Sequence, residues 1–176
     1  MPVLGTKLHV PAMRRRLVPR PRLTGRLRGG PASLPRLVLV SAPAGFGKTT
    51  LIAQWLASSE RDEGDSEPTG PPPRVAWLSL DAGDSELRRF VTHLVAAIQT
   101  TSPQVGTEAL ALLESGRTLP AEAVLVSLVN DLDELAGPTV LALDDYHVID
   151  APDIHESVTF LLGHLPPQVK IGRAHV

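Results

Sequence analysis

LVLVSAPAGFGKTTLIAQWL, residues 37–56, is the stretch that decides the fold. Its first five residues, LVLVS, form an apolar run of the kind found in a buried parallel strand. A helix is expected from about Lys48 to Ser58, with Leu51, Ile52, Trp55 and Leu56 along one face. Between them lies APAGFGKT, residues 42–49, a glycine-bearing turn. A strand, a tight turn and a helix in that order bring the backbone N–H groups from about Gly45 to Thr50 to a helix N-terminus, where they converge on phosphate oxygens. Gly45 and Gly47 permit the positive φ and close backbone approach that such a wrap needs. Lys48 is expected to reach the β- and γ-phosphates, and Thr49 to ligate Mg²⁺ through its hydroxyl. The nucleotide-binding set is then Ala44, Gly45, Phe46, Gly47, Lys48, Thr49 and Thr50. The usual pattern opens with Gly, and Ala42 stands in that place.

Downstream, strands alternate with helices. RVAWLSLD, from Arg74 to Asp81, is expected as a second strand. Asp84 or Ser85 is placed to cap a helix on which Leu87, Phe90, Val91, Leu94, Val95 and Ile98 recur at helical spacing. Further helices are expected over Thr107–Ser115 and Ala121–Ala136, the second stopped by Gly137-Pro138. TVLALDDYH starts a third buried strand at Thr139. Asp150 is expected to cap a helix with Pro152 in its first turn, and QVK at 168–170 to begin a fourth strand. This alternation predicts an α/β fold with a mostly parallel sheet. The segment 60–73, with five acids, one base and four prolines, cannot bury a face and reads as a solvated loop.

Asp144 and Asp145 fall at the C-terminal end of the third strand, where parallel α/β sheets bind their ligands. Asp144 is assigned to the Mg²⁺ shell and Asp145 to orienting or deprotonating water, the catalytic role. HESVT at His155 starts like a zinc-protease helix but has Thr159 where the second His must be. His147 and His155 are therefore read as partly exposed polar residues.

Composition narrows the class. Apolar residues make up 43% and charged residues 20% of the 176, with no cysteine. Disulfides, thiolate catalysis and cysteine zinc sites drop out together, which fits a cytoplasmic protein. No apolar run is long enough for a membrane span. The net charge of −2 hides an asymmetry: residues 1–36 carry nine Lys or Arg and no acid, leaving 8 bases against 19 acids in the remainder. A basic arm of this kind is open to several readings: a nucleic-acid or phosphate contact, a solvated tail, or an organelle transit peptide, whose amphipathic helix Pro2, Pro11, Pro19 and Pro21 oppose. The excess of Arg over Lys with abundant Ala, Pro and Gly is more simply that of a GC-rich genome.

The phosphate loop followed by LDDYH makes the chain resemble the nucleotide-binding domain of STAND-class signalling NTPases. Within that class it is similar to the large LuxR-type bacterial transcriptional regulators of the maltose-regulon-activator kind. The segments that carry the likeness are TKLHVP at Thr6, LVPRPRL at Leu17, LVSAPAGFGKTTL at Leu39, VAWLSLD at Val75 and LALDDYHVIDAPDIHESVTFLLGHLP at Leu141. The resemblance implies a P-loop NTPase three-layer sandwich that binds ATP with Mg²⁺ and hydrolyses it slowly. It also implies that Leu17, Val18 and Arg20 form a wall on the adenine side, so that the arm, 1–36, serves the NTPase domain that begins at residue 37. Inducer and DNA would be bound only by a C-terminal region beyond these residues, with self-association in the ATP state. A continuously turning-over P-loop kinase or motor-type ATPase remains the alternative, with Arg88, Arg89 and Arg117 as arginine-finger candidates by elimination. A binding module with idle hydrolysis is the third reading.

The family continues past LPPQVK into a strand with a γ-phosphate-sensing Arg. Here the chain reads IGRAHV; the codon reading ATC-GGA-AGA-GCA-CAC-GTC would give those six residues, and that string looks like common sequencing-adapter DNA. Residues 171–176 are expected to be foreign, and Arg173 is not assigned as the sensor. The domain, 37–170, is accordingly expected to be truncated at its fourth core strand. Since that strand lies between the phosphate-loop strand and the Asp-Asp strand in this class, its loss would leave both with unpaired edges.

Overall fold

The computed structural model describes residues 3–12, 36–43, 45–59, 73–115 and 120–175. Four strands, β1 (Leu37–Ser41), β2 (Arg74–Ser79), β3 (Thr139–Asp144) and β4 (Val169–His175), form one sheet in the order β1-β4-β3-β2. Every pair is parallel: Leu37 sits opposite Ile171, Thr139 opposite Val169, and Arg74 opposite Thr139. Parallel neighbours need crossovers, and helices supply them. Helix α1 (Lys48–Ser59) follows β1; α2 (Leu87–Gln99), α3 (Thr107–Glu114) and α4 (Ala121–Asp133) follow β2; α5 (Pro152–His164) joins β3 to β4.

The side chains divide the molecule into three layers. On one face Ile52, Trp55 and Leu56 of α1 pack on Val38, Trp77, Val140 and Ala142. On the other, apolar stripes from α2, α4 and α5 cover Ala76, Leu78, Leu141, Leu143 and Ile171. Leu128 and Phe90 are fully buried there, as the helical periodicity requires. This is the expected three-layer α/β sandwich.

Four expectations are corrected. The fourth strand is present: residues 169–175 pair with β1 and β3, so the sheet has no gap between them. Parallel pairing uses backbone groups, and Val169 and Ile171 supply the buried side chains, so residues 171–175 continue the ladder. Strand β1 is not buried throughout; it stands at the sheet edge, with Val38 buried and Leu39 52% exposed. Helix α2 is capped not by Asp84 or Ser85 but by Glu86, whose carboxylate accepts from the N–H groups of Arg88 and Arg89. Helix α5 has Ala151 at its N-cap and Pro152 at its start, with no side-chain cap from Asp150. The expectations for Leu17, Val18, Arg20, Ala44, Arg117 and the acidic segment 60–72 lie outside the described residues.

Candidate functional site

In a parallel sheet all strands point their C-terminal ends to one edge, and the site is assembled there. β1 ends at Ser41 and leads into the loop; Gly45 and Gly47 take φ of 80° and 77°, the left-handed region. A Cβ built on Gly45 meets nothing within 4 Å, so the conformation alone asks for glycine at that point. The Phe46 N–H donates to Pro43 O at 3.3 Å, and its ring is 61% exposed. Helix α1 then begins at Lys48, and the Leu51 N–H donates to Gly47 O at 2.9 Å.

Lys48 and Thr49 turn inward from this first turn. Lys48 is buried, and its Nζ donates to the carbonyls of Ala42 at 2.8 Å and Pro43 at 3.2 Å. Its ammonium is thus held across the loop by neutral acceptors, with no carboxylate in an ion pair among the described residues. The Thr49 hydroxyl lies 2.9 and 2.8 Å from the two carboxylate oxygens of Asp144. Thr50 lies in the same turn and is half-buried.

Asp144 closes β3 and is 3% exposed. Burial pushes its carboxyl above the usual range; the Thr49 hydrogen bond opposes this, the Asp145 charge adds to it, and the Asp145 N–H and the Lys48 charge lower it again. The Leu80 N–H donates to Asp144 O at 3.0 Å, which ties the end of β2 to the same edge. Asp145 follows with φ 55°, the one non-glycine residue with positive φ among those described. Its side chain is half-exposed, and His147 Nδ1 stands 3.9 Å from its Oδ1.

The donor set suits a nucleotide with Mg²⁺. A threonine hydroxyl beside a buried carboxylate offers hard oxygen ligands of the type Mg²⁺ takes. Lys48 and the turn N–H groups offer positive charge to phosphate. Lys48, Thr49, Asp144 and Asp145 therefore come together at one edge of the sheet, while the side chains of His147 and His155 are exposed.

Sequence reasoning missed two features. The first is an ion cluster at the end of β2. Lys7, in the 3₁₀ turn Gly5–Leu8, places Nζ 2.6 Å from Asp84 Oδ2 and 2.8 Å from Asp81 Oδ2. Asp84 is wholly buried, with His93 Nδ1 at 2.7 Å and Arg89 Nε at 3.5 Å from its Oδ1. Arg89 is thereby paired within the domain, whereas Arg88 is exposed. The acids three apart, Asp81 and Asp84, were the available signal; Asp81 accepts the Gly83 N–H, and Asp84 accepts the Asp81 N–H. The second is Tyr146, which is 1% exposed and hydrogen-bonded to His155.

Among the described residues no helix is long and apolar enough to cross a membrane. The family model of the AAA ATPase domain matches residues 16–171. The chain is 34% identical over 169 residues to the HTH-type transcriptional regulator MalT of Klebsiella pneumoniae, a match covering 96% of this chain and 17% of that one. It is 36% identical to MalT of Yersinia enterocolitica over the same shares. The chain thus spans about a sixth of the length of these curated relatives. A crystal structure of Cdc6p from Pyrobaculum aerophilum superposes with a TM-score of 0.58 at 16% identity, covering 98% of this chain and 43% of that one, and supports the fold alone. With its phosphate loop, paired aspartates and parallel sheet in this arrangement, the chain belongs to the AAA ATPase domain family.

Proposed function

We propose that this domain is the ATP-binding switch of a signal-dependent transcriptional regulator, loading ATP with Mg²⁺ and hydrolysing it slowly to reset. The observation that carries the reading is the meeting of Thr49 and Asp144 beside Lys48, 95 residues apart in sequence for the first pair. Lys48 would exchange its two loop carbonyls for phosphate oxygens, and Thr49 with Asp144 would hold Mg²⁺. Mg²⁺ held by these two residues would supply charge neutralisation to the phosphates. Asp145 would accept a proton from the attacking water and fix its direction. The likeness to HTH-type transcriptional regulators supports a regulatory setting; in this reading the protein is cytoplasmic, inducer and DNA are bound outside these residues, and the ATP state self-associates.

A switch requires two conformations that differ in nucleotide affinity, and slow turnover keeps the ATP state long-lived. The test uses the full-length protein. Lys48→Ala should abolish ATP binding, and Asp145→Asn should bind ATP yet lose hydrolysis. Steady-state turnover of about one per second or faster would instead place the protein with continuously cycling ATPases and kinases.

A further inference from the structure

Asp145 holds a left-handed backbone conformation that is uncommon for a residue with a side chain, although aspartate tolerates it better than most, and the contacts around it hold it there. Three contacts do so. The Val148 N–H donates to Asp145 O at 3.1 Å, the Ile149 N–H donates to Tyr146 O at 3.1 Å, and the Leu80 N–H fixes Asp144 O from the other side. The fourth restraint is a side chain. Tyr146, next after Asp145, buries its ring to 1% exposure and shares a 2.8 Å hydrogen bond between its hydroxyl and His155 Nδ1. The two rings lie 5.5 Å apart and are tilted by 49°. His155 itself is exposed on the first turn of α5, whose neighbour Ile154 is wholly buried.

A buried phenol needs a partner for its hydroxyl, and most residues that supply one do only that. This pair does more because of where it acts. Tyr146 cannot rotate its backbone without dragging a buried ring and breaking the bond to α5, and the peptide it would rotate is the one that aims Asp145. We infer that Tyr146 and His155 are positioning residues that hold Asp145 in its left-handed turn and so set the direction of its carboxylate in the hydrolytic step. The inference rests on the water-directing role proposed above for Asp145.

ATP hydrolysis by the full-length chain tests it, with kcat and KM measured separately. Tyr146→Phe keeps the ring and removes the hydroxyl; His155→Ala alters an exposed position. Each should lower kcat about tenfold while KM for ATP stays within about twofold, because phosphate binding is left intact. The double variant should lose less than the sum of the two single losses, since both remove the Tyr146–His155 hydrogen bond. His155→Asn, which returns a polar atom near the Nδ1 position, should recover part of the lost rate. Unchanged kcat in Tyr146→Phe and His155→Ala, with only a lowered melting temperature, would reduce the pair to a structural contact and overturn the inference. If Asp145→Asn hydrolyses ATP normally, the water-directing role falls and the inference falls with it; if Asp145→Asn is inactive while the two variants are not, the inference alone fails.

Discussion

Thr49 and Asp144 meet at 2.8–2.9 Å through both carboxylate oxygens, one residue from the first turn of α1 and the other from the last position of β3. The hydroxyl here donates to a carboxylate that burial has pushed above its ordinary range. A divalent cation between them would relieve that unfavourable burial by opposite charge. Thr49→Ala and Asp144→Asn should therefore weaken ATP binding in Mg²⁺ by about tenfold or more, roughly 1.4 kcal/mol per decade. In EDTA both variants should bind ATP nearly as wild type does. Calorimetric titration with and without Mg²⁺ separates the two conditions; equal losses in both would argue against a metal role.

The Lys7 cluster should dominate the response to loss of a single charge. Lys7→Met leaves the buried Asp84 with Arg89, His93 and the Asp81 N–H beside it, and breaking a buried pair of this kind costs about 3 kcal/mol. Urea denaturation of wild type and variant reads the difference directly.

The same cluster predicts a pH profile. Burial lowers the Lys7 pKa, but the hydrogen bonds and charges of Asp81 and Asp84 outweigh it and leave the group above its ordinary value. A raised lysine contributes its stability below the ordinary value and loses it as pH climbs through the folded one, so wild type should weaken above about pH 10.5. For Asp81 the Lys7 hydrogen bond is the leading cause of a lowered pKa, opposed by burial and helped by the Lys7 charge, the Gly83 N–H and Arg89. Its contribution is present above the ordinary aspartate value and fades as pH falls below about 4. Lys7→Met should flatten the alkaline limb and shrink the acid one. An alkaline limb unchanged in the variant would assign it to another group.

Two glycines with similar φ should respond differently to alanine. Gly45 at 80° has open space where a methyl would stand, so Gly45→Ala costs only the left-handed penalty of about 1–2 kcal/mol. Gly106 at 78° precedes α3, and a Cβ there would stand 2.5 Å from Val95 Cγ1 of the buried α2 stripe. Gly106→Ala adds that overlap to the same penalty and should cost about 1–3 kcal/mol more. Thermal unfolding of the two variants ranks them; equal losses would mean that Val95 yields without cost.

Much of this architecture was legible because it depends on local chemistry. LVLVS, the glycine turn and the helix after it define one another, and TVLALDD shows a buried strand ending in acids. The caps were misassigned for a physical reason. Asp84 has the right side chain for a cap, but a lysine 77 positions earlier claims it, and Glu86 caps α2 instead. Edge position was likewise hidden, since apolar Leu39 reads the same whether or not a neighbour covers it. Nor does DDYH reveal that its tyrosine reaches a histidine nine residues on, although the motif contains the first partner and the next helix the second.

The strand order has a consequence for how the domain is made. Among the described strands, β1 pairs only with β4, and Leu37 meets Ile171 after 134 further residues. At about 5–20 residues per second, the strand that carries the phosphate loop leaves the ribosome roughly 7–27 s before its partner exists. The centre of the sheet is thus completed last. During that interval the loop has its glycines and lysine but neither its neighbouring strand nor Asp144 in place, so nucleotide has no finished site to enter until synthesis has reached β4.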